Sequence, residues 1–220
     1  MMKPDFDWAA TKAMETLIEN KITETPIDSL QILLKTPHVR VMSFTRFATE
    51  AGMDREELIP LFGQNQDAAT FHLDMPIEDV EYVVVYNMRL PYEIIMRGVA
   101  RELGHIILGH DGVTRPAEVR KAEALCFAHH LISPRPVLRM LQESVPMTMN
   151  VLTATTGCSD ECMEELSEIP GAHVPADLNR KVRDLFSRGI SEYISFYKAA
   201  KKKDHSPVLD FGTFMDNYEE

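Results

Sequence analysis

The segment from residue 94 to residue 112, IIMRGVARELGHIILGHDG, decides the fold. Pro91 lies shortly before this segment, and a helix can begin directly after this proline. Gly109 lies near its end and is a residue type that often terminates a helix. We therefore predict one long helix over about residues 92–108, and the prediction of the surrounding fold starts from it.

The neighbours of this helix predict a sheet on one side and a second helix on the other. Residues 82–86 read Tyr-Val-Val-Val-Tyr, a β-branched and aromatic composition that is typical of a strand, and Asn87 ends it. Pro116 suits the first turn of a helix over residues 117–132. We predict an α+β fold, in which a small sheet of about three strands packs on these two helices.

Hydrophobic spacing and turn residues predict the remaining elements. Further strands are expected at residues 38–42 and 68–73, and further helices at residues 8–20, 29–35, 44–51, 54–62, 137–143, 147–156, 159–166 and 176–203. The chain would then consist of an α+β domain (1–135), an all-helical C-terminal region (136–205) and an acidic tail (206–220).

Composition excludes several classes of protein. The net charge of −11 and a pI near 5.2 argue against broad contact with a nucleic-acid backbone, which requires a positive surface. No apolar run approaches the length of a membrane span, and no charged leader opens the chain. Three cysteines in 220 residues do not suggest a disulfide framework. We expect a cytoplasmic protein that contacts neither membrane nor nucleic acid.

The five residues from Arg101 to His105 differ at one position from the zinc-peptidase signature His-Glu-x-x-His. In that signature two histidines four residues apart share a helix face and hold one Zn²⁺, while the glutamate acts as a base. Arg101 stands where the first histidine belongs. A guanidinium stays protonated and has no lone pair to give to a metal. The site is therefore incomplete at its first ligand.

Several stretches resemble the ImmA/IrrE family of metallo-endopeptidases, whose members show a His-Glu-x-Gly-His helix and then a Glu-Ala-Asn-x-Phe-Ala helix. The resemblance covers about residues 26–135 and, more loosely, the helical C-terminal region. It lies in residues 98–110, 121–128 and 131–134, in the strand before Pro91, and in Pro26-Ile-Asp. The resemblance implies a small zincin fold. It also implies a bacterial or mobile-element protein of a kind that often cleaves a partner repressor.

Matched to the family by position, Glu102 corresponds to the catalytic base, and His105 and Glu123 to the second and third metal ligands. Arg101 departs from the family at the first ligand, and Leu125 departs at the asparagine of the second helix. Both departures fall at the site.

Arg101 is expected to oppose zinc binding by its charge as well. A unit charge at about 4 Å repels another by about 4 kcal/mol at an effective dielectric near 20, and a dication by roughly twice that. A guanidinium can also bridge carboxylates. We hypothesise that Arg101 replaces zinc as the positive centre of a salt-bridge cluster with Glu102 and Glu123. No cofactor is then expected, whereas a rescued site would hold zinc.

Two residues are candidates for a substitute ligand. His110 follows the motif histidine by five residues, not the six of longer signatures, and its other role would be to cap the end of the helix. Cys126 lies one helical turn from Glu123. His130 lies about 10 Å along the helix from Glu123, so that joint ligation would be strained. His129 is predicted to face solvent.

Three interpretations of function remain open. The first is a metallopeptidase-like protein with a degenerate zinc site that binds a protein partner, such as a repressor, without cleaving it. The second is an active zinc endopeptidase that uses Glu102 as base and a substitute ligand. The third is a structural or regulatory module unrelated to peptide binding. The last predicted helix is basic on its polar side, which indicates a solvated face or a docking surface for an acidic partner or nucleic acid.

Overall fold

Within the described residues, three strands form one mixed sheet in the order β1-β3-β2. The strands are β1 (Val39–Ser43), β2 (Ala68–Ile77) and β3 (Val80–Tyr86). The central strand β3 contains the Tyr-Val-Val-Val-Tyr stretch and runs parallel to β1 and antiparallel to β2. Val84 and Val85 of β3 are buried because each face of the sheet packs against a hydrophobic cluster. The predicted small three-stranded sheet is confirmed.

The computed structural model describes residues 2–54, 57, 66–77, 79–111, 115–159 and 171–200. Most of the predicted helix 54–62, most of the predicted helix 159–166, Cys162 and the acidic tail lie outside the described residues. Asp54 and Glu57 are described. Each accepts a hydrogen bond from the backbone N–H of the other, at 3.0 Å and 2.8 Å, which confirms the capping pair expected there.

The described helices agree closely with the predicted ones, because their ends are set by local residues. Asp28 accepts a hydrogen bond from the backbone N–H of Gln31 and so caps the second helix. Gly52, at φ +67°, ends the third. The helices are α1 (Phe6–Glu19), α2 (Ser29–Lys35), α3 (Phe44–Ala51), α4 (Tyr92–Ile107), α5 (Ala117–Ile132), α6 (Arg135–Gln142), α7 (Met149–Thr156) and α8 (Ala176–Ala200).

Helices α4 and α5 pack tightly against each other, and a glycine makes this approach possible. A Cβ at Gly104 would lie 3.0 Å from the ring of Phe127 and 3.1 Å from the carbonyl oxygen of Ala124. Such distances are too short for a side chain in a close-packed interior. Gly104 therefore holds the helix with the zinc-peptidase-like motif directly against the helix that carries Glu123.

One hydrophobic core contains side chains from both the α+β part and the helical C-terminal part. Its largest fully buried members include Met14 of α1, Phe127 of α5 and Phe186 of α8. Helix α5 packs against α4 and also against α1. This double coverage buries nearly all of the second half of α5. No described helix is long and apolar enough to cross a membrane.

Candidate functional site

The side chains singled out in the sequence meet where α4, α5 and the start of β2 come together. Helix α4 carries Arg101, Glu102 and His105, and α5 carries Glu123. The connection between these helices carries His110. Gly109, at φ +60°, turns the chain back at the end of α4, and the backbone N–H of His110 donates to the carbonyl of His105 at 2.9 Å.

Arg101 is held by two carboxylates. Its Nη2 donates to Asp67 Oδ1 at 2.8 Å and to Glu102 Oε1 at 3.0 Å, and its Nη1 lies 3.4 Å from Asp67 Oδ2. The same Nη2 reaches the carbonyl of Ala68 at 3.4 Å. The predicted ion pair with Glu102 is confirmed. The predicted bridge to Glu123 is wrong, because the Arg101 side chain points toward the start of β2 and Glu123 has other partners.

The sequence analysis missed Asp67. The approach of Asp67 to α4 depends on the small size of Gly98. A Cβ at Gly98 would lie 2.6 Å from Cγ of Asp67. Gly98 precedes Arg101 by three residues, so both share one helix face. The absence of a side chain at position 98 thus gives the Asp67 carboxylate room to reach the guanidinium.

Glu102 is buried beside this ion pair. Only 8% of its side chain is exposed, and 28% of that of Arg101. Burial raises the pKa of Glu102, and the positive charge of Arg101 opposes that shift. The residue that matches the family's catalytic base is therefore engaged by a cation at one of its oxygens.

His105, His110 and Glu123 form a hydrogen-bonded chain. Nδ1 of His105 lies 3.0 Å from Nδ1 of His110, and Nε2 of His110 lies 3.0 Å from Oε2 of Glu123. Burial lowers the pKa of His105 to about 4 and also lowers the pKa of His110, where the hydrogen bond to Glu123 opposes the shift. Both imidazoles are thus neutral at pH 7.

The protonation of this chain follows from its partners. A carboxylate accepts hydrogen bonds, so Nε2 of His110 carries the proton shared with Glu123. Nδ1 of a neutral His110 is then an acceptor, and Nδ1–H of His105 donates to it. Nε2 of His105 consequently keeps its lone pair. The predicted capping role of His110 is met by its backbone N–H, which donates to the carbonyl of His105. Its side chain lies between His105 and Glu123.

Glu123 is fully buried and has donors at both oxygens. Oε1 accepts from the backbone N–H of Asp5 at 2.9 Å and from Arg115, and Oε2 accepts from His110. Arg115 also lies 4.9 Å from the centre of the Trp8 ring, a cation–π distance. The sequence analysis missed Arg115, Trp8 and Asp5, because nothing in residue spacing links the N-terminus to α5.

These contacts decide how well the family's ligand set fits a zinc ion. Arg101 offers no lone pair at the first position, and Glu123 would have to give up His110 to bind a metal. Among the residues that the structure describes, no group of three or more His, Cys, Asp or Glu side chains is placed to hold a metal ion. In this arrangement a guanidinium stands at the first ligand position, and His110 lies between the second and third.

His129, His130 and Cys126 of α5 have contacts outside this cluster. The prediction that His129 faces solvent is wrong: the residue is 1% exposed, because α5 is covered on two sides. Nδ1 of His130 donates to the carbonyl of Cys126 at 2.9 Å. Sγ of Cys126 donates to the carbonyl of Phe6 at 3.6 Å, and burial raises the pKa of this thiol to about 12. Cys126 is thus placed to stabilise packing.

Comparison with known proteins adds no further assignment. No protein-family model matches the chain, and no curated protein matches it either.

Proposed function

We propose that this protein is a metallopeptidase-like binding protein of the ImmA/IrrE type that holds a protein segment without cleaving it. The observation that carries the proposal is the position of Arg101. By sequence Arg101 matches the family's first ligand, and its guanidinium is held by Asp67 and Glu102. A fixed positive charge therefore stands beside Glu102, where it would repel a metal ion.

The surroundings of Arg101 suit the capture of an extended segment. Among the described residues β2 pairs with β3 alone, which leaves the backbone groups of its other edge available to a partner strand. Arg101 contacts the first residue of β2 and remains 28% exposed. A segment bound along β2 would therefore pass next to a partly exposed guanidinium.

A second function is favoured by the place of His110. One of its ring nitrogens lies within hydrogen-bonding distance of His105 and the other of Glu123. Three side chains of types that can bind a metal therefore lie next to one another. In an active zinc endopeptidase, His110 would substitute for the missing first ligand and Glu102 would accept a proton. A metal would have to replace the hydrogen bond between the two imidazoles. Because zinc binding requires this rearrangement, the structure supports the second function less well than the first.

The two functions are separated by proteolysis and zinc titration of four proteins. These are the wild type, Glu102→Gln, Arg101→His, and Arg101→His combined with His110→Ala. The double variant is included because His110 blocks Glu123 even when a histidine stands at position 101. Casein serves as a general unfolded substrate, and each protein is tested with and without added zinc.

The binding function predicts no casein cleavage by the wild type. It also predicts that one of the Arg101→His proteins gains zinc binding and cleavage, and that Glu102→Gln, added to that protein as a further variant, abolishes the cleavage. Cleavage by the wild type that is lost in Glu102→Gln would instead establish the peptidase. If no variant binds zinc, the metallopeptidase ancestry loses its support and a purely structural role takes its place.

A further inference from the structure

Arg120 carries a positive charge beside the chain of His105, His110 and Glu123, and no described carboxylate pairs with it. Its side chain is partly buried on α5, about one turn before Glu123. Nη1 donates to the backbone carbonyl of His110 at 2.8 Å. Nε is buried and has no hydrogen-bond partner among the described residues. The guanidinium is therefore anchored by a neutral carbonyl, which leaves its charge without a counter-charge.

A shortage of acidic residues does not explain the missing counter-charge, since the protein has a net charge of −11. The described arginines that pair with a carboxylate are Arg40, Arg46, Arg101, Arg115, Arg183 and Arg188. Glu123, the carboxylate one turn from Arg120 on α5, is already held by Arg115 and His110. A partly buried guanidinium without a carboxylate raises the free energy of the unbound protein, because its desolvation is not compensated.

Lys121 adds a second positive charge next to Arg120. Its side chain is exposed, and none of the ion pairs between described residues includes it. Burial and His110 lower the pKa of His105, and the charges of Arg101, Arg120 and Lys121 lower it further. Both cations therefore lie close enough to act on His105. No side chain caps the start of α5, so the positive end of the helix dipole adds to the same field.

These two cations border the site at which the proposed function holds a protein segment. Arg101 precedes His105 by about one turn on α4 and contacts the start of β2. Arg120 is joined to the end of α4 through His110, whose backbone N–H donates to the carbonyl of His105 at 2.9 Å. A segment that lies next to Arg101 and continues toward the end of α4 therefore approaches Arg120.

We propose that Arg120 and Lys121 bind an acidic side chain of the protein segment held at this site, an inference that rests on the proposed binding function. Nη1 of Arg120 is engaged with His110 and Nε is buried, so Nη2 is the nitrogen left for a ligand. A carboxylate has two oxygens, one for this Nη2 and one for the ammonium of Lys121. Binding would give the guanidinium its missing counter-charge, which favours an acidic segment over a neutral or basic one.

The test measures the binding of short fluorescent peptides to the full chain by anisotropy. One peptide, blocked at both ends, alternates threonine and glutamate, and the second alternates threonine and glutamine. The alternation suits an extended segment, and glutamine removes the charge at nearly constant shape. The proteins are the wild type, Arg120→Gln, Arg120→Lys, Lys121→Gln and Arg188→Gln. Arg188→Gln is the matched control, because it removes the same charge from an arginine that is 90% exposed and pairs with Glu192.

We expect the wild type to bind the glutamate peptide about tenfold more tightly than the glutamine peptide, since a hydrogen bond to a charged group contributes this much. The protein has a net charge of −11, so general attraction cannot produce this preference. Arg120→Gln should lose the preference, Arg120→Lys should keep part of it, and Lys121→Gln should lose a smaller part. Arg188→Gln should bind both peptides as the wild type does.

Thermal unfolding verifies that each variant is folded, and Lys121→Gln changes an exposed residue, so it tests the inference even if Arg120→Gln does not fold. Three results would overturn the inference: equal binding of the two peptides by the wild type, a full preference in both glutamine variants of α5, or an equal loss in Arg188→Gln. Equal binding of the two peptides would leave the binding function in place. Binding of neither peptide would contradict the binding function as well.

Discussion

Removal of the Arg101 charge should destabilise the fold by an amount that can be worked from its contacts. In Arg101→Met, the carboxylates of Asp67 and Glu102 lose their shared cation, and they are only 10% and 8% exposed. Breaking a buried ion pair by removing one partner costs about 3–5 kcal/mol. Because 28% of the arginine is exposed, we expect the lower end of this range, about 3 kcal/mol.

The pairwise energy is measured by a double-mutant cycle with Asp67→Asn. Asparagine keeps the side-chain oxygen that accepts from the backbone N–H of Ala68 at 2.8 Å, so only the charge is removed. Urea unfolding of the wild type, both single variants and the double variant gives the coupling. We expect about 1.5–2 kcal/mol, as for contacting charges in one network.

The matched control cycle uses Arg188 and Glu192, whose side chains are 90% and 68% exposed. An exposed pair of this kind contributes little to stability, because solvent screens it. If the Arg101–Asp67 coupling is as small as that of the control pair, Arg101 is not the positive centre of the cluster, and the reasoning about the site fails.

Three further predictions concern packing, pH and reactivity. Gly98→Ala should lower the free energy of unfolding by about 2 kcal/mol, because its Cβ would lie 2.6 Å from Asp67; urea midpoints measure this. Stability should decrease as pH falls from 7 to 5. Burial lowers the pKa of His130 from 6.5 to about 4, so the unfolded chain takes up a proton that the folded one does not. His130 alone contributes about 2 kcal/mol over this interval, and His129 acts in the same direction. Cys126 should resist iodoacetamide in the folded protein, because its thiol is buried with a pKa near 12; peptide mass spectrometry detects the adduct.

Each of these three predictions has an outcome that contradicts it. Wild-type stability in Gly98→Ala would mean that the Asp67 carboxylate does not approach α4 as described. A urea midpoint that does not change between pH 7 and pH 5 would mean that the two buried histidines ionise in the folded state. Labelling of Cys126 under native conditions as fast as in a urea-unfolded control would place its thiol at the surface.

Helix and strand positions could be predicted because they depend on local residues. Helix α5 begins and ends where the sequence analysis placed it, after Pro116 and at Ile132. The strand at residues 68–73 was predicted too short, since β2 continues to Ile77. Asp74, Met75 and Pro76 are all exposed, so alternation alone gave no signal for the extension.

The partners of the site could not be predicted, because they come from distant parts of the chain. Asp67 is 34 residues from Arg101, and periodicity does not tell which element covers a given helix face. His129 was misplaced for a related reason. A helix packed on one side has a polar face, but α5 is covered by both α1 and α4, and the residue is buried among them.

The central claim is that a guanidinium at the first ligand position keeps this site from binding a metal ion. Metal analysis by mass spectrometry, on full-length protein purified without chelator and then incubated with zinc, tests it most directly. We predict far less than one zinc per chain after gel filtration. One zinc per chain, retained through gel filtration and lost in His105→Ala, would contradict the claim.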